Sequence, residues 1–202
     1  MKVAIINYGM GNVASVQKAI NFLGFESIVT NDSKEIKESS YIILPGVGAF
    51  PQGMENLHKL GLVELLNNEV INIKKPFLGI CLGMQLISSV GYEHCETAGL
   101  GWIEGEVLKI EEEDKSIPHL GWNEIRVKNN SFIKEFDQKD FYFIHSYHFN
   151  VKKSQNILAT VDYGKNYVAA LQKENIFATQ FHPEKSQSSG LSLMKAFFKL
   201  YA

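Results

Sequence analysis

Cys81 lies in Gly79-Ile80-Cys81-Leu82-Gly83, at the end of an apolar run that starts at Pro76, and a helical pattern begins at once after it. A nucleophile with a glycine two positions away on each side marks a sharp strand-to-helix turn, because the glycines let the chain fold back tightly and neighbouring elements approach. Such a turn lifts its side chain at the carboxyl end of the sheet, where open α/β folds place their sites. The amino end of the helix stabilises negative charge and so favours thiolate over thiol. A thiolate nucleophile needs a partner to carry protons, and Gln180-Phe181-His182-Pro183-Glu184 supplies one after another apolar strand. In extended chain, residues two apart point the same way, so His182 and Glu184 can lie side by side. Glu184 then orients one imidazole nitrogen while the other faces Cys81. Gly46-Val47-Gly48 follows a further strand end, and its backbone N–H groups, with that of Leu82, are candidate donors to a tetrahedral oxyanion. Each segment alone also fits plain packing: a small buried cysteine, a strand-end histidine, a glycine-rich turn. Their combination points to acyl transfer.

The elements that must position these groups alternate in the first half. Apolar runs over 3–8, 27–30, 41–44 and 76–80 read as strands. A helix after Asn12 carries Val13, Val16, Ala19, Ile20 and Leu23 on one face and stops at Gly24, and 61–73 is again helical. This order implies βαβ units and a mostly parallel sheet with helices on both faces, a three-layer flavodoxin-like α/β fold. Beyond about residue 100 the chain turns β-rich. Strand patterns at 106–110, 124–127, 141–145, 157–161, 168–172 and 176–181 are separated by polar turns, and an amphipathic helix over about 189–200 follows.

With 202 residues, 45% hydrophobic and 21% charged, the chain suits one domain over 1–202 whose core needs no disulfide or metal. Net charge is −2 and the basic residues are scattered, which argues against a nucleic-acid or membrane surface. Cys81 and Cys95 are too few for a disulfide framework. The opening apolar run is short and broken by Asn7, unlike a signal peptide, and no stretch nears the roughly 20 apolar residues of a membrane helix. A cytoplasmic location is expected.

The segments Gly79-Ile80-Cys81-Leu82-Gly83-Met84-Gln85 and Gln180-Phe181-His182-Pro183-Glu184-Lys185-Ser186 resemble the two signature motifs of class I, triad-type glutamine amidotransferases. The likeness extends along essentially the whole chain. Asn7-Tyr8-Gly9-Met10-Gly11-Asn12, Pro45-Gly46-Val47-Gly48-Ala49-Phe50, Pro118-His119-Leu120-Gly121-Trp122-Asn123 and Phe143-Ile144-His145-Ser146-Tyr147 are similar to the glutaminase-subunit family of imidazole glycerol phosphate synthases. The 45–50 loop discriminates best, since anthranilate synthase relatives usually carry Gly-Pro-Gly-x-Pro there. The resemblance implies that Cys81 attacks the glutamine carboxamide to give a glutamyl thioester and ammonia, with His182 and Glu184 completing the triad. It implies that Gln85, Glu93, Ser146 and Tyr147 hold glutamine and that Gly48 and Leu82 match the oxyanion positions, with Val47 beside them in the oxyanion and substrate-binding group; no cofactor or metal is expected. Asn12, Trp122, Tyr142 and Lys185 match positions at or near the family's subunit interface. No segment here holds an acceptor substrate, so ammonia is expected to pass to a separate cyclase subunit, a (β/α)8 barrel in this family, in a heterodimer. Within the resemblance one alternative stays open, a paralogous amidotransferase that feeds amidino-sugar synthesis in surface polysaccharide.

Two rival readings come from the residues themselves. Gly9-Met10-Gly11-Asn12-Val13-Ala14, with Asp32 about 20 residues on, fits the glycine pattern of a dinucleotide-binding turn, though any βα turn can need glycines. His145 and His148 are three apart and His94 adjoins Cys95, but neither pair has the four-ligand spacing of a zinc site.

Overall fold

In the computed structural model, which describes residues 2–128 and 131–201, the apolar runs of the first half become strands alternating with helices. In order these are β1 (Lys2–Ile6), α1 (Val13–Phe22), β2 (Glu26–Thr30), α2 (Ser33–Glu38), β3 (Tyr41–Gly46), α3 (Phe50–Lys59), α4 (Leu62–Leu66), β4 (Phe77–Cys81) and α5 (Leu82–Leu86). The second half holds the short β5 (Val90–Gly91) and β6 (Thr97–Ala98), then β7 (Gly105–Lys109), β8 (His119–Val127), β9 (Asp140–His145), β10 (Tyr147–Val151), β11 (Ile157–Tyr163), β12 (Lys165–Lys173), β13 (Ile176–Thr179) and α6 (Gln187–Leu200).

The main sheet runs β2-β1-β3-β4-β13-β12-β11-β8-β9. Its first five strands pair in parallel, and from β13 onward every pairing is antiparallel. The parallel core is therefore flavodoxin-like, and β13, β12, β11, β8 and β9 of the β-rich second half extend the same sheet. Strands buried on both faces need apolar residues at every position. In β1, Val3 and Ile5 pack with α1 and α6 on one side, while Ala4 and Ile6 pack with residues of α2, α3 and α4 on the other. This gives the helix–sheet–helix layering that the alternation implies. A smaller sheet, β10-β7-β5-β6, closes over the second core through Val107, Phe149 and Val151.

Some boundaries depart from the sequence expectation. The helix over 61–73 is α4 followed by a π-turn at Asn67–Asn72, which begins at two asparagines, weak helix formers. Asn67 there accepts a bond from Trp102 Nε1 at 2.6 Å. β8 starts at His119 rather than 124 and β10 is additional, because both draw their backbone partners from distant strands. α2 and α3 are also additional. α3 buries Phe50, Gly53, Met54 and Leu57 at helical spacing and carries Pro51 in its first turn, where proline's missing N–H has no intrahelical partner to lose.

Candidate active site

β4 delivers Cys81 to the carboxyl end of the parallel core, between β3 and β13, and the turn into α5 is strained. Cys81 has φ 55° and ψ −110°, a conformation that costs a side-chain-bearing residue roughly 1–3 kcal/mol. Only glycine fits beside it: a Cβ on Gly83 would lie 1.8 Å from the Leu44 carbonyl oxygen, and one on Gly79 would lie 2.9 Å from that of Gly83. The two glycines thus let α5 begin in contact with β3 and β4, and the turn aims the Cys81 side chain into a cavity.

β13 delivers the second half of the site. His182 and Glu184 are side by side, with Nδ1 and Oε1 2.8 Å apart and both side chains almost wholly buried. The second Glu184 oxygen makes no hydrogen bond. His182 Nε2 has no other partner, and the imidazole lies close enough to Cys81 to be influenced both by the sulfur's charge and by hydrogen bonding to it. Burial pulls the His182 pKa down, but the charge of Cys81 and hydrogen bonding to it, followed by the hydrogen bond to Glu184 and that residue's charge, outweigh burial and raise the value to about 10. The raised pKa favours a protonated imidazole beside the buried sulfur, the form that can give up a proton to a leaving group.

The cavity in front of Cys81 is about 390 Å³, within the range of small-molecule sites, and is lined by Val47, Gly48, Leu82, Gln85, Glu93, Ser146 and Tyr147 among others. Every residue that the resemblance assigns to glutamine or the oxyanion meets there. Gln85 uses both amide hydrogens within the protein, on the Tyr147 carbonyl at 2.9 Å and on Gln180 Oε1 at 3.0 Å. Its own Oε1 is the group left to present to a ligand. Glu93 accepts the Phe50 N–H at 2.7 Å, which anchors one carboxylate oxygen at the start of α3. Tyr147 lies close enough to Glu93 that, after burial, the carboxylate's charge raises the pKa of its hydroxyl. The cavity thus offers a thiol, an anion and amide acceptors. Val47 lines the cavity, and its N–H donates to the Met10 carbonyl at 2.8 Å. In this conformation Leu82, at the start of α5, and Gly48 are the remaining backbone candidates.

The model of the family described as glutamine amidotransferase class-I matches residues 4–200. The chain belongs to this family. A Campylobacter jejuni (strain RM1221) protein named "Imidazole glycerol phosphate synthase subunit HisH 1" is 46% identical over 201 residues, covering 98% of this chain and 100% of its own. "Imidazole glycerol phosphate synthase subunit HisH" of Aquifex aeolicus (strain VF5) is 45% identical over 200 residues, covering 98% and 96%. Among solved structures, one titled "Crystal structure of glutamine amidotransferase" superposes with TM-score 0.77 at 17% identity, covering 98% of each chain, a likeness of fold.

This amidotransferase also uses residues that motif reading passes over. Gln180 Nε2 donates to Cys81 Sγ at 3.7 Å while its Oε1 holds Gln85. Ser186 Oγ donates to the His182 carbonyl at 2.6 Å and accepts the Tyr142 N–H at 3.0 Å, and His182 N–H donates to the Tyr142 carbonyl at 2.9 Å. The histidine turn is thereby clamped to β9. Both residues stand inside the His182 motif, so the signal was present, but their partners lie in other elements. Tyr8 contributes a buried, unpartnered hydroxyl, whose pKa is raised by burial and then by the charge on Cys81.

Three of the four interface candidates form a group. Trp122 and Tyr142 meet edge to face with centroids 5.9 Å apart, and Lys185 Nζ lies 5.8 Å from the Tyr142 ring centroid. Asn12 sits just before α1, which packs against the Pro183–Lys185 turn. Leu120, Trp122 and Ile144 are exposed apolar side chains on the β8–β9 edge. Asp32 caps α2, accepting the Lys34 and Glu35 N–H groups at 2.9 and 3.0 Å, which gives that acidic residue a structural duty in place of the ribose contact of a dinucleotide site. Among the described residues no helix is long and apolar enough to cross a membrane.

Proposed function

We infer that this chain is the glutaminase subunit of imidazole glycerol phosphate synthase, releasing ammonia from glutamine for use by a separate cyclase subunit. The observation that carries the reading is the buried Cys81–His182–Glu184 group opening onto a cavity with Gln85, Glu93 and Tyr147 on its walls. Near-identity of length with synthase-subunit relatives at 46% identity supports the acceptor pathway.

In this mechanism the α-ammonium of glutamine lies near Glu93, which leaves its carboxamide toward Cys81. The thiolate attacks the carboxamide carbon, and the oxygen takes up negative charge near the Leu82 N–H. His182 Nε2 passes its proton to the departing nitrogen, so the C–N bond breaks and ammonia leaves a glutamyl thioester. Water then attacks the thioester while His182 takes one of its protons. The C–S bond breaks, glutamate is released and the thiolate–imidazolium pair returns. Glu184 stabilises the cation at both stages. The cyclase partner, a (β/α)8 barrel in a heterodimer with this chain, covers the Leu120, Trp122 and Ile144 edge, so that ammonia passes between subunits without meeting bulk water. Mixed with the cyclase, the wild type should release glutamate from glutamine and yield imidazole glycerol phosphate. Cys81→Ala should abolish glutamate release while leaving cyclase activity on added ammonia. Glutamate formation by the alanine variant would overturn the nucleophile, and an active glutaminase whose cyclase makes no imidazole product would overturn the pathway.

A further inference from the structure

One histidine on the wall of the glutamine pocket, His145, and a second behind it, His119, are not used by the reaction itself. His119 on β8 and His145 on β9 face each other in register and are only 2% and 6% exposed. His119 Nδ1 is 3.0 Å from His145 Nε2, and His145 Nδ1 is 2.8 Å from the Tyr147 carbonyl oxygen. His119 Nε2 is 3.4 Å from Asn123 Nδ2, which also donates to the Asp162 carbonyl at 2.9 Å. His119 is stacked between Phe143 and Tyr163, with centroids 4.7 and 4.0 Å away.

The protons in this chain can be assigned from one end. A carbonyl oxygen only accepts, so His145 Nδ1 carries hydrogen and points it at Tyr147. If His145 is neutral, its Nε2 is an acceptor, and His119 Nδ1 must then be the donor. That leaves His119 Nε2 to accept from Asn123. A second proton on either ring would set N–H against N–H, so the arrangement holds only for two neutral imidazoles. Burial acts in the same sense and lowers the pKa values of His119 and His145 to about 4 and about 3.

The Tyr147 carbonyl is also the acceptor for Gln85 Nε2 at 2.9 Å, so the one oxygen accepts from both His145 and Gln85. Gln85 in turn holds Gln180, whose Nε2 reaches Cys81 Sγ at 3.7 Å. We propose that His119 and His145 are positioning residues for glutamine: a neutral, tautomer-locked pair that fixes the Tyr147 carbonyl and thereby the orientation in which Gln85 meets the substrate. The inference rests on the glutaminase reading above. Its device is a chain of N–H donors running in one direction from β8 to the pocket wall. A proton-transfer role is not part of it.

Two measurements test it. Imidazole ¹⁵N correlation spectra of the wild-type chain at neutral pH should show both rings neutral with hydrogen on Nδ1. A charged ring, or hydrogen on Nε2 of His145, overturns the proposal without any variant having to fold. In the complex with the cyclase subunit, His145→Phe should raise the glutamine KM about five- to tenfold, the scale of one well-placed hydrogen bond, with kcat held within about threefold. His145→Asn, whose amide can reproduce the Nδ1 donor, should restore KM to within about twofold of wild type. His119→Phe keeps the stacked slot but frees the His145 tautomer, and should give a smaller rise. Equal KM values for His145→Phe and His145→Asn overturn the proposal. A wild-type complex inactive on glutamine would defeat the glutaminase reading and this one together. An active wild type with indifferent His145 variants would defeat this one alone.

Discussion

Replacing Glu184 by glutamine isolates what its charge does. The carboxylate oxygen lies 2.8 Å from His182 Nδ1, and both side chains are shut off from water. Glutamine keeps the length and an acceptor for Nδ1–H, so the imidazole stays in place while the charge is lost. A hydrogen bond to a charged group contributes about 1.5–3 kcal/mol, and about 1.4 kcal/mol is a factor of ten. The Cys81 thiolate–imidazolium pair should therefore lose about ten- to a hundredfold in population relative to the neutral pair. Stability should also fall, because removing one partner of a buried pair leaves the imidazole charge less compensated. The direct assay is the rate of iodoacetamide alkylation at pH 7, followed on the Cys81 peptide by mass spectrometry since Cys95 is exposed and also free. Glutamate formation with the cyclase present should fall by a similar factor in kcat, with KM little altered. Equal alkylation rates in the variant and wild type, with the fold intact, would refute the charge argument. A loss confined to KM would refute it too, because Glu184 lies outside the pocket lining.

Other expectations follow from the same geometry. Gly83→Ala should lower unfolding free energy in urea by about 1–3 kcal/mol or more, because its Cβ would meet the Leu44 carbonyl at 1.8 Å and backbone cannot swing aside. Trp122→Ala should weaken cyclase binding by about 2 kcal/mol in calorimetry, with melting temperature nearly constant since the ring is 48% exposed; unchanged affinity would remove that edge from the interface. His119 and His145, lowered to about 4 and about 3, contribute stability that is complete above about pH 6.5 and lost as pH falls through those values. His182, raised to about 10, runs the other way, its contribution complete below about pH 6.5 and lost as pH rises through 10. Urea melts across pH should thus peak between these limbs, and His119→Phe should flatten the acid limb by about 1.4 kcal/mol per pH unit, one proton's worth.

Much of the fold was legible because its causes are local. The parallel strands are short apolar runs, and the Cys81 turn announces itself through Gly79 and Gly83, whose absence of side chain is what the turn needs. The antiparallel extension was legible as β-rich sequence but not as part of the same sheet. Strand order follows from which edges find each other, and β13 pairs in parallel with β4 across a long sequence gap. Likewise β8 was read short at its start, because His119 to Asn123 become strand only by pairing with β9.

For the site, motif spacing alone placed Cys81 at a turn and His182 beside Glu184, since both arrangements arise within a few residues. The residues lining the pocket, Gln85, Glu93, Ser146 and Tyr147, were named by the family resemblance and not by their spacing. Only the tertiary structure decided how the site residues are held. Gln180 reaches Cys81 across 99 positions, His119 meets His145 across 26, and the Val47 N–H is taken by Met10 from another loop. Hydrogen-bond saturation is a property of space: a donor's partner is whichever acceptor packing brings within about 3 Å, and no local pattern records that choice.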